Sequence, residues 1–184
     1  MDLSLFIVVL GGRSLKSNIE IHDVRWVVGK SIEDTFPELR KQWLGKKRGL
    51  HIDSYKCIKY VDGYEIVISK YNRKNIVSHQ VEDFSLWFVN LGGYNPKKMY
   101  EEHEFNLIVA KKAIEAKRKA KKIWVSNLDL KHNDDYSGIH YLKSIDDLHP
   151  IKIKNWEINL IPDPEKRSEK LIPDWYGYKR IDKF

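Results

Sequence analysis

From Leu5 to Leu10 the chain is continuously apolar, and from Leu86 to Leu91 it is nearly so again. The first run is short and rich in β-branched residues, which is the make-up of a buried strand. Each run meets a glycine pair, Gly11-Gly12 and Gly92-Gly93, expected to end the strand. Such a pair also lets another backbone or a ligand come close. A second strand is predicted from Ile19 to Val28. Its alternation puts Glu20, His22, Val24, Trp26 and Val28 on one face and Ile21, Asp23, Arg25 and Val27 on the other. The period then changes. Ile32, Phe36, Leu39 and Trp43 fall on one face of a helix. Ser31 with Asp34 resembles a capping box, and Pro37 is accommodated if the helix starts after Thr35. A strand from His51 to Tyr60, the hairpin signal Asp62-Gly63 and a return strand from Tyr64 to Ser69 complete the pattern.

The pattern occurs twice. At an offset of 81, 17 of the 56 positions from Leu5 to Tyr60 are identical, where chance would give roughly three or four at ordinary composition. Glu20 falls on Glu101, His22 on His103 and Trp43 on Trp124, while His51, Asp53 and Tyr55 fall on His132, Asp134 and Tyr136. This is a duplication. The second helix carries Ala113, Ala116, Ala120 and Ile123 or Trp124 as its stripe, and Trp156 to Ile161 is the second return strand. The predicted fold is α+β: two tandem β-β-α-β-β modules with pseudo-twofold symmetry, antiparallel sheets covered by one helix each. Residues 1–69 form the first module, 70–83 a polar linker, 84–161 the second module, and 162–184 an extended C-terminal tail that Trp175, Tyr176 and Tyr178 could dock. The leading strands are too apolar for exposed edges and are expected at central positions.

Composition narrows the classes. With 184 residues and 42% hydrophobic content the chain is neither disordered nor a polar linker. A single cysteine, Cys57, excludes an intrachain disulfide and a cysteine-rich zinc site. Its place on a strand, with Gly138 as its copy, suits a small buried residue better than a catalytic thiol. The N-terminal run lacks the form of a secretory signal, and no stretch approaches the roughly 20 apolar residues of a membrane helix. The protein is therefore expected to be cytoplasmic, with no membrane partner. The net charge of +7 invites an acidic partner, but 25 of the 33 basic residues are lysine. With 20 isoleucines and 10 asparagines, compositional drift accounts for that bias more readily than selection for nucleic acid.

The residues most suited to chemistry are those the repeat kept: Glu20, His22, His51 and Asp53, with Glu101, His103, His132 and Asp134. Should the strand faces that carry them meet, imidazoles and carboxylates converge. Such a set can bind a divalent metal (zinc, manganese or iron) or do acid–base work. The alternative is structural, since a histidine beside an aspartate often holds a loop by hydrogen bonds. No His-Glu-x-x-His, Gly-x-Ser-x-Gly, Walker or dinucleotide motif is present. Lys111, Lys112, Lys117, Arg118, Lys119, Lys121 and Lys122 form a basic helix relieved only by Glu115, suited to phosphates or simply to solvent. The first-copy helix, with Glu33, Asp34 and Glu38, is not basic.

Leu5-Phe6-Ile7-Val8-Val9-Leu10-Gly11-Gly12-Arg13 and Ile19-Glu20-Ile21-His22-Asp23-Val24-Arg25 resemble the start of the bacterial domain-of-unknown-function family numbered 1543. Ser31-Ile32-Glu33-Asp34-Thr35, Leu50-His51-Ile52-Asp53-Ser54, Val61-Asp62-Gly63-Tyr64 and Phe88-Val89-Asn90-Leu91-Gly92-Gly93-Tyr94 extend the resemblance to residues 3 to about 161. It implies a duplicated module in an uncharacterised bacterial protein, and it brings no catalytic residues to carry over. The Lys-rich second helix departs from the family's more mixed one. The leading expectation is a non-catalytic binding or interaction protein, with a protein partner or a homo-oligomer. A metal-dependent enzyme built on the His/Asp/Glu cluster is the alternative, and a non-specific nucleic-acid binder acting through helix 110–124 is the third reading.

Overall fold

The computed structural model describes residues 2–71, 84–94, 98–127 and 143–183. It is an α+β protein of mostly antiparallel sheets with short helices. The chain divides into two compact units, Met1–Arg73 with Lys152–Phe184, and Lys74–Ile151.

In the first unit, β1 (Ser4–Gly12) lies inside a four-stranded antiparallel sheet, between β2 (Ile21–Gly29) and β3 (His51–Ile58), with β10 (Trp175–Arg180) outside β3. The glycine pair does not end β1. Both glycines stay in register, Gly11 opposite His22 and Gly12 opposite Ile21. The reason is steric rather than conformational: a Cβ on Gly12 would lie 2.9 Å from the Trp43 indole, so the bare backbone makes room for a core ring.

Ser31 and Asp34 form the expected reciprocal box, Ser31 N–H to Asp34 Oδ2 at 3.0 Å and Asp34 N–H to Ser31 Oγ at 3.4 Å. The box opens a 3-10 turn, Glu33–Thr35, and α1 (Phe36–Gln42) follows with Pro37 in its first turn. Thr35 does not cap α1, because its hydroxyl donates to the Ile32 carbonyl at 2.6 Å. Ile32, Phe36, Leu39 and Trp43 are buried as their spacing requires, against Phe6, Val8, Leu10, Val27, Leu50, Ile52 and Ile181.

The hairpin β4 (Tyr60–Val61) to β5 (Tyr64–Lys70) turns at Asp62-Gly63, both with positive φ. Its outer neighbour is unexpected. β9 (Trp156–Pro162), the predicted return strand of the second copy, pairs antiparallel with β5 along its whole length and belongs to the first unit. The two return strands thus satisfy each other, a non-local pairing that hydrophobic periodicity cannot indicate. The C-terminal segment, expected as an extended tail, forms a regular strand at Trp175–Arg180. Trp175 of β10 stacks on Tyr55, with centroids 6.0 Å apart.

In the second unit, β6 (Ser85–Tyr94) lies between β7 (Glu101–Ala110) and β8 (Lys143–Pro150). Helix α2 (Ala113–Asn127) packs on one face of this sheet through Ala116 and Ala120, against Val89, Leu91, Ile108 and Ala110. Ala113, assigned to that stripe by spacing, is exposed at the first position of the helix. Among the described residues no helix is long and apolar enough to cross a membrane.

Candidate functional site

The helix-covered face of the first sheet carries Phe6, Val8 and Leu10, so Gly11 points to the other face. Gly11 is the Cα partner of His22 on β2 and of His51 on β3. The two histidines therefore flank a residue without a side chain, about 10 Å apart at two strand spacings. Asp53 closes the gap. The register of β1 with β3 shifts between Val9 and Leu10, which leaves Asp53 as the extra residue of a β-bulge. The bulge aims its carboxylate at both rings: Oδ2 lies 3.0 Å from His22 Nε2 and Oδ1 lies 3.1 Å from His51 Nε2. Glu20 Oε1 approaches His51 Nε2 at 3.6 Å. A Cβ at Gly11 would lie 2.9 Å from His51 Cε1 and 3.1 Å from Asp53 Oδ2, so only glycine admits this arrangement.

His51 is 1% exposed. Its Nδ1 lies 2.9 Å from the Gly49 carbonyl, which can only accept, so Nδ1 is the donor and Nε2 faces the carboxylates. The tail completes this surround. Tyr178 packs on the His51 ring with centroids 4.1 Å apart, and Asp182 Oδ2 accepts from Gly49 N–H at 2.7 Å. The Arg180 guanidinium, with help from that N–H, holds the Asp182 carboxyl well below the usual range. His22, Glu20 and Asp53 form the open side of the cluster, with His22 half-exposed.

The second sheet repeats the plan. Gly92 is the Cα partner of His103 and of Ser144, and Asp146 is the extra residue of a bulge between Ile145 and Asp147. His103 Nδ1 lies 3.5 Å from Asp146 Oδ2. Asn90, where the first copy has Val9, places its amide nitrogen 3.3 Å from His103 Nδ1 and donates to Asp147 Oδ2 at 3.1 Å. A Cβ at Gly92 would overlap the Asp146 carboxylate, 2.8 Å from its Cγ, and collide with Glu101 Oε1. The register position of Asp53 is thus held by Asp146, and that of His51 by Ser144. His132 and Asp134, which the offset of 81 put there, lie outside the described residues. The structure places Glu20, His22, His51 and Asp53 side by side, and Glu101 lies with Asp146 over Gly92. Among the described residues no three His, Cys, Asp or Glu side chains are placed to hold a metal ion.

Comparison with known proteins places this geometry. The model of the family described as Domain of Unknown Function (DUF1543) matches residues 17–68 and 98–152, more than half of the chain. The chain belongs to that family. Both matched segments of this DUF1543 protein carry the cluster, from Glu20 to Asp53 and from Glu101 to Asp146. The protein is also similar to a solved structure, the crystal structure of a protein Il1583 from Idiomarina loihiensis. The two are 30% identical, with 98% of each chain covered and a TM-score of 0.70. No curated protein matches the chain.

Several residues at the clusters escaped the sequence pattern. Asp146 did so because the ungapped match to His132-x-Asp134-x-Tyr136 hides twelve extra residues before β8. The shared dipeptide Ile52-Asp53 and Ile145-Asp146 was the available signal. Tyr178 was legible as a docking aromatic of the tail but not as a neighbour of His51, and Asn90 and Asp182 had no signal, since their partners Asp147 and Gly49 are distant in sequence. Of the basic residues, Lys111 Nζ sits over the Phe84 ring and Lys119 Nζ donates to the Val109 carbonyl at 2.6 Å. Lys112, Lys117, Arg118, Lys121 and Lys122 are exposed.

Proposed function

We propose that this protein is a non-catalytic binding protein whose recognition sites are the two glycine-floored His/Asp/Glu clusters. The observation that supports it most is the repetition of one arrangement in both copies: a bare glycine under a bulge aspartate, a half-exposed histidine and a glutamate. In the first copy the carboxylate of Asp53 is divided between two rings, which favours a closed hydrogen-bonded surface over an open ligand set. A carboxylate oxygen accepts more than one hydrogen bond, and each cluster is rich in carboxylates: Glu20 and Asp53 in one, Glu101, Asp146 and Asp147 in the other. That chemistry suits a donor-rich cationic group, such as the guanidinium of a partner protein. Two such clusters in one chain would give a partner with two cationic groups two points of attachment.

Elemental analysis of untagged protein tests this reading against the metal-dependent enzyme. Under the binding reading no zinc, manganese or iron is held stoichiometrically, even after reconstitution. Near-stoichiometric metal that is lost in a folded His22→Ala/His51→Ala variant would replace it with the metal centre.

A further inference from the structure

Helix α2 carries more charge than its place in the fold requires. Ala116 and Ala120 face the sheet, and on the opposite side Ile114, Lys117, Arg118, Lys121 and Lys122 recur at helical spacing. These five residues line a hollow of about 620 Å³. Lys117, Arg118, Lys121 and Lys122 form no ion pair among the described residues, and they supply more than half of the net charge of +7. The first copy shows that this is not a structural demand. Its helix has seven residues against fifteen; Arg40 and Lys41 match Lys121 and Lys122, but the buried Phe36 and the exposed Pro37 stand where Lys117 and Arg118 do. Lys112 also sits at the N-terminal end of α2, where the helix dipole is already positive. Lys117 with Lys121 and Arg118 with Lys122 are like-charge pairs four residues apart, and they concentrate a positive field along about 8 Å of axis.

We propose that this outer face of α2 binds the phosphate backbone of a nucleic acid without reading its sequence. Over about 8 Å a duplex presents roughly four or five phosphate charges, about one for each of the four cations. Three of the four are lysines, compact point charges suited to phosphates rather than to bidentate reading of base edges. The inference goes beyond the binding reading above. The Gly92 cluster lies on the other face of the same sheet, so the two surfaces can be disabled separately.

The test is fluorescence anisotropy of the full chain with a labelled duplex of about 20 base pairs, between about 50 and 200 mM salt. Four phosphate contacts predict a log–log slope of about −3.6, or roughly 150-fold weaker binding across that range. Lys117→Gln/Lys121→Gln keeps a good helix former at both positions and should reduce the slope by about 1.8. Lys152→Gln/Lys154→Gln removes the same charge elsewhere and should leave the slope intact. His22→Ala should bind duplex like the parent. No binding at the lowest salt would overturn the proposal, as would an unchanged slope in the α2 variant or an equal loss in the control. Binding to anionic phospholipid vesicles without binding to duplex would overturn it as well.

Discussion

Asp53 and Asp146 occupy the same bulge position in the two copies, each beside the strand pair that joins a glycine to a histidine, Gly11 to His22 and Gly92 to His103. They stand 93 residues apart, whereas the elements of the repeat that precede them are offset by 81. The carboxylate was thus kept at its place in the sheet although the chain leading to it changed length. A bulge residue escapes strict pairing, so it can be aimed at groups on two neighbouring strands.

The space over the glycines is therefore essential to both clusters. Gly11→Ala should lower stability by about 1–3 kcal/mol through overpacking against His51 and Asp53, and Gly92→Ala should act likewise against Asp146 and Glu101. Urea denaturation measures it. An alanine at either position without loss of stability would mean that the clusters are looser than described.

Histidines on either side of Asp53 should respond differently to truncation. His22 is half-exposed, and His22→Ala should change stability by no more than about 0.5 kcal/mol. Asp53→Asn weakens the surround of the fully buried His51 and should cost about 1–3 kcal/mol. Equal effects of the two substitutions in thermal or urea melts would contradict this division.

How much of this was legible in sequence differs by element. Ile32, Phe36, Leu39 and Trp43 were readable as a core stripe because helical spacing is a local property, and Asp62-Gly63 because turn chemistry is too. Glu20 with His22 was readable as a pair because a strand has period two; His51 with Asp53 fits the same spacing, but the bulge that aims Asp53 was not legible. The pairing of β5 with β9 was not, since either strand has the same alternation whichever partner it takes. Tyr178 and Asp182 reach His51 and its loop only because β10 returns to β3 across more than a hundred residues.

Asp182 should act on His51 through Gly49. Asp182→Ala removes the acceptor of Gly49 N–H and the partner of Arg180, so the loop that fixes His51 Nδ1 loosens. Faster amide exchange at Gly49 and shifted His51 ring signals are expected, with the His103 ring unchanged. An unaltered His51 would show that Tyr178 and Asp53 hold the ring unaided.

The start of the tail is tied down by an ion pair with a defined pH window. Asp163, held by Arg167, has its pKa lowered from 3.8 to about 2. A depressed carboxyl pKa stabilises the folded form above the unfolded value, and the contribution is lost as pH falls through the folded one. The loss attributable to this pair should therefore fall between about pH 4 and pH 2. Thermal melts of Asp163→Asn beside the parent should converge across that window. A constant difference between the two would separate this pair from acid sensitivity.

The most direct test of the clusters as recognition sites is a nitrogen-15 spectrum of the histidine rings during titration with methylguanidinium, at neutral pH. The binding reading predicts saturable shifts at His22, His51 and His103 that are absent in Asp53→Asn/Asp146→Asn. Shifts at these histidines that do not saturate, or that persist unchanged in the variant, would contradict it.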